Sequence, residues 1–192
     1  MALSKRQRQT FFISIFLAGT VALIVLVIYL MTGKQAYKLY QNDRVGISIK
    51  YPSNWKVIEN PEGGAVVVFL SPKENALDAF FENVSIVVQD LPPGKAITLQ
   101  EYSNKAVEQL TVTLKKTVEV VERSPATLDG RAAYRFVWKE MGAANNPLAV
   151  KMTHEWVIKN NRAYQVTFGA LLSRHDKYLG IVNTMLSSFT IK

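Results

Sequence analysis

Leu148-Ala149-Val150-Lys151-Met152-Thr153-His154-Glu155-Trp156-Val157-Ile158, then Lys159-Asn160-Asn161-Arg162, then Ala163-Tyr164-Gln165-Val166-Thr167-Phe168, decides the fold. In the first run Leu148, Val150, Met152, His154, Trp156 and Ile158 fall on one side, a period of two that marks a strand. Tyr164, Val166 and Phe168 repeat that period in the last run. Asparagine tolerates the left-handed backbone of tight turns, so Asn160-Asn161 folds the two runs into a hairpin. Just upstream, Arg131–Lys139 carries Tyr134, Phe136 and Trp138 on one face. Asp129-Gly130, a strong hairpin signal, separates it from a strand over Val118–Arg123. Strands joined by hairpins pair antiparallel.

The remainder of the chain extends this pattern. Val45, Ile47, Ile49 and Tyr51 alternate with Gly46, Ser48 and Lys50. Pro52-Ser53-Asn54 turns the chain into a short strand, Trp55–Ile58, and Pro61-Glu62-Gly63-Gly64 turns it again. Ala65–Leu70 is continuously apolar and is expected to be a central strand covered on both faces. Val84–Gln89 is rich in β-branched residues and reads as another strand. Thr98 and Glu101 stand at capping-box spacing. Behind them Tyr102, Ala106, Leu110 and Leu114 give an amphipathic helix over Leu99–Leu114. Asp176 is expected to cap a final helix carrying Leu179, Val182, Leu186 and Phe189, before a short strand at the end. The expected class is α+β, a mostly antiparallel sheet flanked by two helices.

Ahead of all this stands Phe11–Met31, 21 residues without a charged side chain. As a helix it spans about 31 Å, close to the hydrocarbon thickness of a bilayer. Lys5, Arg6 and Arg8 precede it, and basic flanks stay in the cytoplasm. A cleaved signal peptide also begins this way, but its apolar region is shorter and needs small residues at the cut. Met31-Thr32-Gly33-Lys34-Gln35-Ala36 gives no such pattern. The expected organisation is a basic cytoplasmic flank over 1–10, a transmembrane helix over 11–31, a linker over 32–44 and a soluble extracytoplasmic domain over 45–192, in periplasm, exterior or lumen.

Three of the 23 basic residues and none of the 15 acids precede residue 34, so residues 34–192 carry a net +5. The surplus is scattered, and no basic stripe interleaved with aromatics suggests nucleic acid. The absence of cysteine excludes disulfides, thiol catalysis and cysteine metal sites.

Gly46-Ile47-Ser48-Ile49-Lys50-Tyr51-Pro52-Ser53-Asn54-Trp55 resembles the opening strand and turn of PsbP-like domains. Similar blocks follow in order: Glu82-Asn83-Val84-Ser85-Ile86, Leu128-Asp129-Gly130-Arg131-Ala132-Ala133-Tyr134, Trp156-Val157-Ile158, Ala163-Tyr164-Gln165-Val166-Thr167-Phe168 and Met185-Leu186-Ser187-Ser188-Phe189. The resemblance covers residues 45–191 and implies an α/β/α sandwich of the Mog1/PsbP type. In photosynthetic organisms such proteins are extrinsic subunits or assembly factors of photosystem II, acting around its calcium- and chloride-dependent manganese site. The helical anchor departs from that pattern and favours a broader PsbP-related reading.

The resemblance also places His154 near a metal-associated histidine of some PsbP proteins, and Asp176 near its acidic partner. Imidazole and carboxylate suit zinc or manganese. Two ligands fall short of a closed four-coordinate site, and His154 shares its row with Met152 and Trp156, so no metal or other cofactor is expected. No Gly-x-Ser-x-Gly elbow, glycine-rich phosphate loop or carboxylate pair is found, so no catalytic residue is named and no small-molecule substrate is expected. Tyr134, Phe136 and Trp138 read as core beneath a helix. The loop over 140–147 is the better contact candidate. The expectation is a non-enzymatic domain that assists an unknown membrane-protein complex. The alternative is a photosystem II accessory subunit that supports calcium or manganese retention.

Overall fold

A computed structural model describes residues 35–113, 118–142 and 148–192, together with position 23. The expected cytoplasmic flank over 1–10 lies outside the described residues, as does the expected span over 11–31 except for position 23. Residues 143–147 of the candidate contact loop also lie outside them. Among the described residues no helix is long and apolar enough to cross a membrane. The chain divides into two units, Met1–Ala36 and Tyr37–Lys192, and the second holds every element that follows.

The strands are β1 (Tyr37–Asn42), β2 (Ile47–Pro52), β3 (Lys56–Glu59), β4 (Val67–Leu70), β5 (Asn83–Asp90), β6 (Val118–Leu128), β7 (Arg131–Glu140), β8 (Val150–Lys159), β9 (Arg162–Leu171) and β10 (Thr190–Ile191). Helix α1 spans Leu99–Thr113 and α2 spans His175–Ser188. Every described strand pair is antiparallel. Both hairpin turns read from sequence form: Asp129 and Gly130 have φ of 54° and 66°, and Asn160 and Asn161 of 51° and 58°. Paired left-handed residues match the twist of the strands they join.

The strands form two sheets where the sequence reading has one. β3-β4-β5-β9-β8-β7-β6 make a seven-stranded sheet, and β1-β2-β10 a three-stranded one. The expected linker over 32–44 is corrected by β1. Only Tyr40 of that strand is buried, so it shows no alternation. Pairing with β2 from Tyr37↔Pro52 to Asn42↔Ile47 makes it a strand. The central strand expected over Ala65–Leu70 is also corrected. β4 is second from the sheet edge, with Val67 and Phe69 buried and Val68 and Leu70 half-buried, a difference that an all-apolar run cannot display.

The helices lie on opposite faces of the large sheet. α1 covers β7 and β8, where Val107 meets Phe136, Trp138 and Trp156. The expected capping box forms: Thr98 Oγ1 accepts the Glu101 N–H at 3.1 Å, and Glu101 Oε2 accepts the Thr98 N–H at 2.9 Å. α2 packs between β9 and β2. There Ile47, Ile49, Phe69, Val166, Val182 and Met185 share the main core. Asp176 does not cap α2. Arg174 holds the N-cap position without a side-chain capping bond, and Asp176 belongs to the first turn.

Candidate functional site

Strand β8 sends alternate side chains to opposite faces, and this separates the two histidines. His154 points into the cluster under α1, opposite Phe136 on β7 and Thr167 on β9. Its ring is stacked with Trp138, Phe136 and Trp156 at centroid distances of 6.3, 6.3 and 5.8 Å. The Trp138 indole N–H donates to His154 Nε2 at 2.9 Å. An indole nitrogen can only donate, so the ring proton is on Nδ1, which donates to Thr167 Oγ1 at 3.0 Å. The Gln165 amide also donates to Thr167 Oγ1, and its carbonyl accepts the Trp156 indole N–H at 2.7 Å. Burial lowers the His154 pKa to about 4, so the ring is neutral at pH 7. Both nitrogens are occupied by protein partners.

On the other face Lys151, Thr153 and Glu155 point towards α2. His175 is buried there; its Nδ1 is 2.9 Å from Asp176 Oδ1 and its Nε2 is 3.3 Å from Thr153 Oγ1. Lys151 Nζ reaches the same Asp176 oxygen at 3.7 Å. The sheet thus lies between His154 and Asp176, and the structure does not bring that suggested pair together. It brings together His175 and Asp176 instead. Burial lowers the His175 pKa, opposed by the bond to Asp176, and the same bond lowers that of Asp176.

The order hydroxyl, imidazole, carboxylate is that of a nucleophilic triad. Here the carboxylate is 84% exposed and shared with Lys151. The arrangement ties the sheet to the first turn of α2.

Beside this tie runs a cleft of about 160 Å³ between α2 and β6–β8. Val137, Leu179, Val182 and Leu186 supply apolar walls. Its floor holds buried Glu155, whose Oε1 accepts from Arg135 Nε at 2.8 Å and from the guanidinium Nη2 at 2.6 Å. A shallower depression of about 330 Å³ continues it past Arg135 and Asn183 towards the β6–β7 turn. Neither Glu155 nor Arg135 was singled out from sequence. The available signal was the phase of Glu155, a charge placed between His154 and Trp156 on the second face of a strand buried on both.

A second acid–base cluster fastens the β4–β5 connection to α2. Arg174 Nη1 donates to Asp78 Oδ2 at 2.8 Å and lies 3.5 Å from Glu82 Oε1, while its Nε is 3.7 Å from Glu74 Oε2. The backbone N–H of Glu74, then Arg174, hold the Asp78 pKa down at about 2. Burial, reinforced by Glu82 and Glu74, raises that of Tyr178 to about 12. Among the described residues no group of three or more His, Asp or Glu side chains is arranged to hold a metal ion. The three acids of this cluster converge on a guanidinium.

Antiparallel sheets, a helix on each face and a cleft beside one helix define an α+β domain with surfaces suited to binding. The chain belongs to the PsbP family, which it matches over residues 35–191. Nothing among curated proteins matches it. The solution structure of cyanobacterial PsbP (CyanoP) from Synechocystis sp. PCC 6803 is similar at a TM-score of 0.60 and 17% identity, over 83% of this chain and 95% of that one. LpqN of Mycobacterium tuberculosis, involved in cell envelope biogenesis, is similar at 0.55 and 13%, over 85% and 95%. The Saccharomyces cerevisiae Ran-binding protein Mog1p is similar at 0.55 and 9%, over 82% and 96%. At these identities the likeness is one of Mog1/PsbP-like fold.

Proposed function

We propose that this chain is a membrane-tethered, extracytoplasmic PsbP-related domain that holds or assists a membrane-protein complex without catalysing a reaction. The observation that carries the reading is the cleft beside α2, where apolar walls surround the Arg135–Glu155 pair. Apolar walls with a few fixed polar groups suit recognition of another molecule. Family membership supports an accessory or binding role. The charge-free run over 11–31, with a basic N-terminal flank, supports the tether. Tethering raises the local concentration of the domain beside a membrane partner.

Photo-crosslinking in cells tests this. A crosslinker at Asn183, exposed on the cleft rim, should trap an integral membrane protein that one at Glu62 does not. Equal labelling from both positions, or none from Asn183, contradicts the reading. The photosystem II alternative rests on the family resemblance. The sheet separates His154 from Asp176, the pair that the resemblance suggested for zinc or manganese.

A further inference from the structure

The connection between β4 and β5 displays apolar side chains from a tightly fastened loop. Ser71 N–H bonds to the Glu82 carbonyl at 2.8 Å and closes its base. Asp78 accepts from the backbone N–H groups of Glu74 and Phe80, and Asn75 Oδ1 from that of Leu77. Arg174 anchors Asp78 from outside the loop. On this frame Leu77 is 94% exposed and Phe81 39%, with Pro72, Ala76 and Ala79 exposed around them. A single exposed leucine needs no explanation, but a cluster held in place marks a contact surface.

Two observations identify what it contacts. The first is position. Tyr37 pairs with Pro52, Trp55 N–H bonds to the Pro52 carbonyl, Trp55 packs on Tyr178, and Tyr178 donates to Glu74 in the loop. The loop is therefore at the end of the domain where the chain enters at Tyr37. Six residue steps separate Tyr37 from Met31, at most about 20 Å whatever their conformation. The second is charge. Asp78 and Glu82 are turned inward, and Glu74 and Asp176 are each paired with a lysine. Lys38, Lys56 and Lys73 are also exposed at this end, and the Lys73 ammonium lies 5.5 Å over the Phe81 ring. Apolar tips ringed by lysines suit a bilayer surface, where the tips enter the headgroup boundary and the ammonium groups stay at the phosphates.

We propose that the loop over residues 72–82 is a second membrane contact, seating Leu77 and Phe81 in the lipid interface. The inference rests on the tether reading, and its test reads the two separately. The chain has no cysteine, so Leu77→Cys and Glu62→Cys each accept one environment-sensitive fluorophore. The full-length chain is reconstituted in phosphatidylcholine–phosphatidylglycerol vesicles with and without spin-labelled acyl chains. Co-flotation reports the tether, and quenching reports the loop. The expected result is co-flotation of both variants, with a blue shift and quenching at position 77 and neither at 62. Co-flotation with no quenching at 77 overturns the loop contact alone and leaves the exposed tips to a protein partner. Failure to float overturns the tether and the loop contact together.

Discussion

His154 is a histidine that the surrounding rings keep from ionising. The unfolded ring takes up its proton near pH 6.5 and the folded ring only near 4. Between those values the unfolded chain binds more protons, so stability rises with pH there. It is complete above about pH 6.5 and lost as pH falls towards 4, by up to about 3 kcal/mol. The stability difference between pH 7 and pH 4.5, measured by urea denaturation, should shrink in His154→Gln. An unchanged difference would remove His154 as its source. Asp78 acts in a lower window. Its folded pKa lies below the unfolded value of 3.8, so its contribution is present above 3.8 and lost as pH falls towards 2. Arg174→Ala strands Asp78 and Glu82 without their guanidinium, and it should lower Tm more than any single capping change in α1. A smaller effect would mean that the acids find another partner. Sequence could place His154 in a core row, but not reveal which face Asp176 shares. That depends on the β8–β9 register and on where α2 lands, both non-local.

Elements held by local chemistry were the most legible. The Thr98–Glu101 box and the two hairpin turns formed as their spacing predicts. Thr98→Ala should cost about 1 kcal/mol of stability, measured as a shift in the urea midpoint at constant slope. Gly130→Ala forces a side chain into the left-handed region and should cost about 1 kcal/mol as well. No loss at either position would contradict the turn and cap geometry. Strand β1 was illegible because it buries one side chain and takes its form from β2. The sheet division was illegible for a related reason. Pro52-Ser53-Asn54 reads as a turn whether the strands beside it pair or part, and here β2 and β3 part into different sheets. The cap expected of Asp176 failed because the helix starts one residue earlier, at His175, which puts Asp176 inside the first turn.

At the scale of the whole molecule, the domain has two dissimilar ends. One receives the chain at Tyr37 and presents Leu77. The other gathers the β1–β2 and β8–β9 turns around polar grooves of about 480 and 430 Å³, crossed by the Arg162–Asp90 and Lys192–Asp43 pairs. β-strands of six residues put roughly 20 Å between them. The cleft beside α2 occupies a flank, and the proposed function has it receive a partner there while the Tyr37 end faces lipid. That account depends on residues 11–31 remaining attached as a membrane helix. Alkaline carbonate extraction of vesicles from the native source, with N-terminal sequencing of the retained polypeptide, tests it most directly. The account predicts a protein that stays in the membrane pellet and begins ahead of Phe11; release into the supernatant, or a mature chain starting near Lys34, would contradict it.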